Sequence, residues 1–192
     1  MAETEVENEP EAGEQARDDA ELRAHRAAAM RLVRQYPDPA LRVRANPVGE
    51  VDGELRELVA RMAEVMERAH GAGLAAPQIG VLRRVLIYRA GRDGALTTLV
   101  NPELSELSDE HETEPEGCLS LLGGELSVPV ERHLRLRVRA LDGDGAAIEF
   151  EAEGLEARVI QHEVDHLDGV LIIDRTAADD RRAAMRELRL SM

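Results

Sequence analysis

The stretch Gln161-His162-Glu163-Val164-Asp165-His166 carries the residue types and the spacing that could do chemistry. On a helix turning about 100° per residue, His162 and His166 lie roughly 40° apart on one face, with Glu163 about 60° from His166. Two imidazoles four residues apart can bind one ion, and a neighbouring carboxylate can take a proton from water on that ion. Two surface histidines on an acidic helix would read the same way, so the site needs a third ligand. A catalytic site of this kind keeps three protein ligands and leaves one position for water.

Two candidates for that ligand stand outside the motif. Glu116-Gly117-Cys118-Leu119-Ser120 offers a thiolate beside a glycine that lets the loop approach a buried ion. A lone cysteine is otherwise most simply a small buried hydrophobe. Glu187 lies 21 residues after His166 and would suit a zinc metalloprotease, but that reading leaves Cys118 and Gln78 unexplained. A closed structural metal site needs a fourth protein ligand, and neither His111 nor His133 has a partner at metal-binding spacing.

The elements that must position these residues are mixed. A helix is expected from Leu22 to about Gln35, stopped by Tyr36-Pro37-Asp38-Pro39. A stronger one starts after Asp52 as N-cap, carries Leu55, Leu58, Met62, Val65 and Met66 at helical spacing, and ends at Gly71. The small residues of Gly71-Ala72-Gly73-Leu74-Ala75-Ala76-Pro77-Gln78 then let backbone approach a ligand or another strand. Short strands are expected at Val85 to Tyr88 and Thr98 to Val100, joined through the turn Arg92-Asp93-Gly94, followed by polar loop from Leu104 to Pro115.

A hairpin is predicted around Asp142-Gly143-Asp144-Gly145, with Leu134, Leu136 and Val138 on an apolar face shared with Ile148, Phe150 and Ala152. Its other face sets Arg135, Arg137 and Arg139 against Glu149, Glu151 and Glu153, so the arginines are cancelled and do not form a nucleic-acid patch. Gly154 opens the helix bearing His162, with Leu155, Val159 and Ile160 turned to the sheet, and Gly169 closes it. Val170 to Ile173 is expected as a strand and Ala178 to Leu190 as a helix. The class is α+β, mostly antiparallel sheets around a central helix carrying the His-Glu-x-x-His motif, with an amphipathic helix before it and a C-terminal helix after.

The 192-residue chain is long enough for one domain with its own core, and its single cysteine excludes an intramolecular disulfide. A net charge of −15 argues against general affinity for nucleic acid or anionic membrane. About half of it, a net of −8, falls between Met1 and Glu21, read as a solvating, disordered tail. This gives an acidic tail over residues 1–24 and a single catalytic domain over 25–192. With no signal-like start and no long apolar run, the cytoplasm is the expected location.

The three stretches ending in Gln78, Ser120 and His166 resemble, in order and spacing, the three motifs of the peptide deformylases, and the likeness spans roughly Met30 to Leu190. That resemblance implies a metal-dependent hydrolase that removes the formyl group from the N-terminal formylmethionine of new polypeptides and releases formate. It implies Cys118, His162 and His166 as metal ligands, with Fe2+ the expected ion and Zn2+ or Ni2+ as alternatives. Glu163 would be the general base, and Gln78 with the Leu119 backbone N–H would receive charge on the formyl oxygen. The peptide would bind as an added strand near Ala72, Gly73 and Gly117, with its methionine against Val159.

The same resemblance makes nascent formylmethionyl chains the partner. The ribosome is a candidate partner too, through a C-terminal segment of net charge +2 from Arg175 onward. Leu121-Leu122-Gly123-Gly124-Glu125 departs from the family's usual sequence after Ser120, and Val128-Pro129-Val130 stands where Val-Pro-Arg is usual.

Overall fold

The computed structural model describes residues 9–91 and 94–191, with side chains described from 20 onward. Helix α1 (Glu9–Met30) leads to α2 (Gly53–Ala69), and strands β1 (Gly73–Ala75), β2 (Val85–Arg89), β3 (Leu96–Ser105), β4 (His111–Gly117), β5 (Ser127–His133), β6 (Arg135–Leu141) and β7 (Ala147–Glu153) follow. Helices α3 (Gly154–Leu167), α4 (Ile172–Arg175) and α5 (Ala178–Leu190) complete the chain. The strands form a five-stranded sheet in the order β1-β2-β3-β6-β7 and a two-stranded sheet β4-β5, all with antiparallel neighbours. The class is therefore α+β, as expected.

Alternation along β2 explains how the large sheet is covered. Leu86 and Tyr88 join Leu136, Val138 and Ala152 against Val159, Ile160 and Leu167 of α3. Val85 and Ile87 point the other way, into a cluster with Leu55, Met62 and Met66 of α2. A third cluster packs Cys118, Leu121 and Val130 against Leu171, Ile173 and Leu188, tying the small sheet to α4 and α5.

α2 begins as expected, with the Asp52 carboxylate accepting from the Leu55 N–H at 2.8 Å. Its left-handed terminal residue is His70 (φ 60°), not Gly71. Gly71 is needed for a different reason: a Cβ there would lie 2.9 Å from Leu119 Cδ1.

Several expectations are corrected. α1 reaches back to Glu9, into the stretch read as a disordered tail, and Ala, Glu, Arg and Gln are good helix formers whatever their net charge. Residues 1–8 of that stretch lie outside the described ones. α1 also stops at Met30: Leu32 and Val33 N–H close short turns onto Ala29 and Met30 C=O, after which Arg34 N–H bonds to Gln78 C=O and Tyr36 N–H to Ser120 C=O. The stretch Leu104 to Pro115 is not one loop. β3 runs through Ser105, and β4 opens at His111 with an exposed, acidic face and no apolar alternation to betray it.

β5 also went unseen, since Pro115 and Pro129 sit opposite each other in this two-stranded sheet and proline argues against a strand. Val170 to Ile173 is not a strand, because α4 begins at Ile172 with Asp174 Oδ2 accepting from Leu171 N–H. Leu155 does not face the sheet and is 58% exposed. Arg92 and Asp93 of the expected turn lie outside the described residues. The β6-β7 hairpin has the predicted register, Arg137 opposite Glu151 and Arg139 opposite Glu149, and Glu149 pairs both with Arg139 directly across at 2.9 Å and with Arg137 on the diagonal at 3.3 Å.

Candidate metal centre and substrate cleft

α3 carries His162, Glu163 and His166 on one turn, and the loop after β4 brings Cys118 to them. One donor atom from each of Cys118, His162 and His166 lies within 4.8 Å of the others. Cys118 Sγ is 3.2 Å from His166 Nε2, and the two imidazoles meet edge to face at 5.0 Å. Of the two candidates for a third ligand, Cys118 is the one that joins the histidines, and Glu187 is on α5 beside Ser127 and Pro129, lining another hollow. One sulfur and two imidazole nitrogens, buried and convergent, fit a borderline-soft divalent cation.

The orientation of His162 is set from behind. Glu116 Oε2 lies 2.9 Å from its Nδ1, and Glu116 in turn accepts two bonds of 3.0 Å from Arg132 and one of 2.8 Å from Arg158. Burial pushes the Glu116 carboxyl up, but the contacts to His162 and Arg132 outweigh it and hold the group at about 2. An ionised Glu116 makes Nδ1 the protonated nitrogen of His162 and leaves Nε2 for a metal. Arg132 also bonds Asp165 at 2.6 Å, and Asp165 is held again by Arg175.

Sequence reading missed this network. It recorded an arginine as replaced at Val128-Pro129-Val130, whereas Arg132, at the end of β5, is the buried cation. Glu116 and Asp165 were noted only as motif letters, and the one signal that would have found them is the charge balance of a buried guanidinium.

Glu163 lies beside the Cys-His-His cluster, 3% exposed, with Oε2 lacking a hydrogen-bond partner among the described residues. Burial pushes its carboxyl up to about 7, opposed by His162 and Arg132 and reinforced by Glu116. Its space exists because residue 73 has no side chain, since a Cβ on Gly73 would lie 2.8 Å from the Glu163 carboxyl carbon. Gln78, 2% exposed, is fixed at both ends: its Oε1 accepts from Ala75 N–H at 2.8 Å, and its Nε2 donates to Ser120 Oγ at 3.3 Å. The same Nε2 is 3.9 Å from Cys118 Sγ.

A cleft of about 350 Å³ opens over these groups. β1 supplies Gly73, and the residue before it Ala72, to one wall, β4 supplies Gly117 to the other, and both are edge strands. Leu119, Val159 and the exposed Leu155 complete its apolar lining. Every residue that the family resemblance implied as a metal, catalytic or substrate residue is thus in the Cys-His-His cluster or on this cleft, and Glu187 is on neither.

A Cys-His-His cluster able to hold a metal, beside an apolar-walled cleft and a buried carboxylate, has the make-up of a hydrolytic metalloenzyme site. The family model for polypeptide deformylase matches residues 30–182. The peptide deformylase of Acidothermus cellulolyticus is 47% identical over 161 residues, covering 84% of this chain and 87% of that protein. The crystal structure of peptide deformylase from Thermotoga maritima superposes with a TM-score of 0.72 at 43% identity, over 76% of this chain and 96% of that one. The Ehrlichia chaffeensis enzyme does so at 0.77 and 30% identity, over 83% and 94%. The chain belongs to the polypeptide deformylase family. Its reaction is the hydrolytic removal of the N-formyl group from the N-terminal formylmethionine of newly made polypeptides, with release of formate. No helix among the described residues is long and apolar enough to cross a membrane.

Proposed function

We propose that Cys118, His162 and His166 hold the catalytic ion, with ferrous iron the physiological metal and zinc or nickel as alternatives on the same donors. The ion supplies a Lewis acid for the formyl oxygen and for the attacking water. Glu163 takes a proton from that water and returns it to the departing amine, so one carboxylate serves as base and then acid. Its burial beside His162 places the carboxyl within reach of that water and away from bulk solvent. Gln78 Nε2 and the Leu119 N–H donate to the formyl oxygen as charge develops there, and one such donor contributes about 10²–10³ in rate.

The substrate peptide adds as a strand between the edges of β1 and β4, near Ala72, Gly73 and Gly117, with its methionine side chain against Val159. α3 is then the central helix of the domain, which we take to span residues 25–192 after an acidic segment of 1–24. The enzyme works in the cytoplasm on nascent chains, with α5 as the element that meets the ribosome. The observation that carries the assignment is the convergence of Cys118 on the two α3 histidines, with Glu163 beside them.

The test is formate release from a formylmethionyl peptide by protein prepared anaerobically with Fe2+, with the unformylated peptide as a protease control. Formate without backbone cleavage is expected. Cys118→Ala should then abolish both metal retention and formate release, whereas metal retained by that variant would reject the ligand assignment.

A further inference from the structure

The loop from Leu119 to Gly124 borders the cleft through those two residues. Its backbone is unusual. Leu122, Gly123 and Gly124 all have positive φ (50°, 65° and 90°), a region in which leucine is sterically penalised. Such a conformation persists when the surroundings impose it.

The surroundings here are the chain between α1 and the first strand. Gln35 donates through Nε2 to Leu119 C=O at 2.8 Å and accepts at Oε1 from Gly123 N–H at 3.2 Å. Arg26, near the end of α1, donates to Gly123 C=O at 2.8 Å. On either side of Gln35, Arg34 N–H bonds Gln78 C=O at 2.6 Å and Tyr36 N–H bonds Ser120 C=O at 2.9 Å. Three consecutive residues are therefore laced to the backbone of two proposed catalytic groups' own segments, and the Gln35 amide spans the loop at both ends.

We propose that Gln35, supported by Arg26, is a positioning residue for deformylation: it sets the Leu119–Gly124 wall of the cleft and so governs how the formyl peptide seats. The proposal rests on the reading of this cleft as the substrate site. Gln35 touches neither the metal ligands nor the substrate space, so its loss should change fit and leave the chemical step largely intact.

The experiment compares wild type with Gln35→Ala, Gln35→Glu and Arg26→Ala, all loaded with metal. It measures kcat and KM for a formylmethionyl tripeptide, together with amide exchange at Gly123. Gln35→Ala should raise KM roughly five- to tenfold, the worth of a net hydrogen bond or so, with kcat within about twofold and metal content unchanged. Exchange at Gly123 should quicken in parallel. Gln35→Glu keeps the acceptor for Gly123 but loses the donor to Leu119, so it should raise KM while leaving Gly123 protected. Arg26→Ala should give a smaller rise.

Unchanged Gly123 exchange in Gln35→Ala would overturn the brace itself. Faster exchange with an unaltered KM would overturn its role in seating substrate, as would a fall in kcat alone. Wild-type protein releasing no formate would instead reject the reading of the cleft, and the substrate half of the proposal with it.

Discussion

His162 Nδ1 lies 2.9 Å from Glu116 Oε2, and that carboxylate is itself held by the buried Arg132 and the partly buried Arg158. The contact decides which imidazole nitrogen is left for the ion. Glu116→Gln keeps the shape but loses the charge, and such substitutions behind a metal ligand typically cost 10–100-fold in affinity. We expect that loss in a competitive titration against a chelator, with the fold retained. Metal affinity equal to wild type would show that His162 orients itself.

The Glu163 carboxyl gives a pH dependence with a definite sign. Its folded value of about 7 is above its ordinary 4.5, so its contribution to stability is full below about 4.5 and is lost as pH rises through 7. For metal-stripped protein the loss is on the order of 3 kcal/mol. Glu163→Gln, which mimics the protonated form, should therefore be more stable than wild type at pH 8 and about equal near pH 4. Thermal unfolding in the presence of chelator measures both, and a variant no more stable at pH 8 would contradict the burial argument.

Gly73 is required by Glu163. A methyl group at residue 73 would sit 2.8 Å from the carboxyl carbon, so Gly73→Ala must displace the proposed base. We expect a fall in kcat of about 10²-fold, typical of an ångström's misplacement at a reacting centre, with metal content preserved. Activity within threefold of wild type would mean that the carboxylate works from a different position.

Arg132 neutralises Glu116 and Asp165 together in a buried network. Removing one partner from such a network typically costs about 3–5 kcal/mol, which for a chain of this size is roughly a 10 °C fall in Tm. Arg132→Met should show that fall. Arg132→Lys should recover only part of it, because an ammonium cannot present the planar fork that reaches both carboxylates.

Much of the site was legible before any fold was known, because helical spacing and ligand chemistry are local properties. His162, Glu163 and His166 follow from one turn of α3, and Asp52 marks the start of α2 by its own capping bond. The β6-β7 hairpin was equally plain from period-two alternation about a glycine turn. β4 was hidden because its residues are mostly exposed, charged or proline, and β5 because Pro129 sits within an otherwise alternating run whose inward residues are Val128, Val130 and Arg132.

The sequence by itself determined the residue types able to bind a metal, the alternating faces of the sheet and the helix that carries the proposed base. Only the tertiary structure decided that Cys118 and not Glu187 meets the histidines, that Arg132 is the buried partner of Glu116 and Asp165, and that Gln35 grips the loop from Leu119 to Gly123. Each of these is a contact between residues far apart in the chain, made possible by backbone pairing and by close approach at Gly71, Gly73 and Gly117. Spacing along the chain carries no record of such contacts, because what selects them is the need to pair buried charge and satisfy buried backbone.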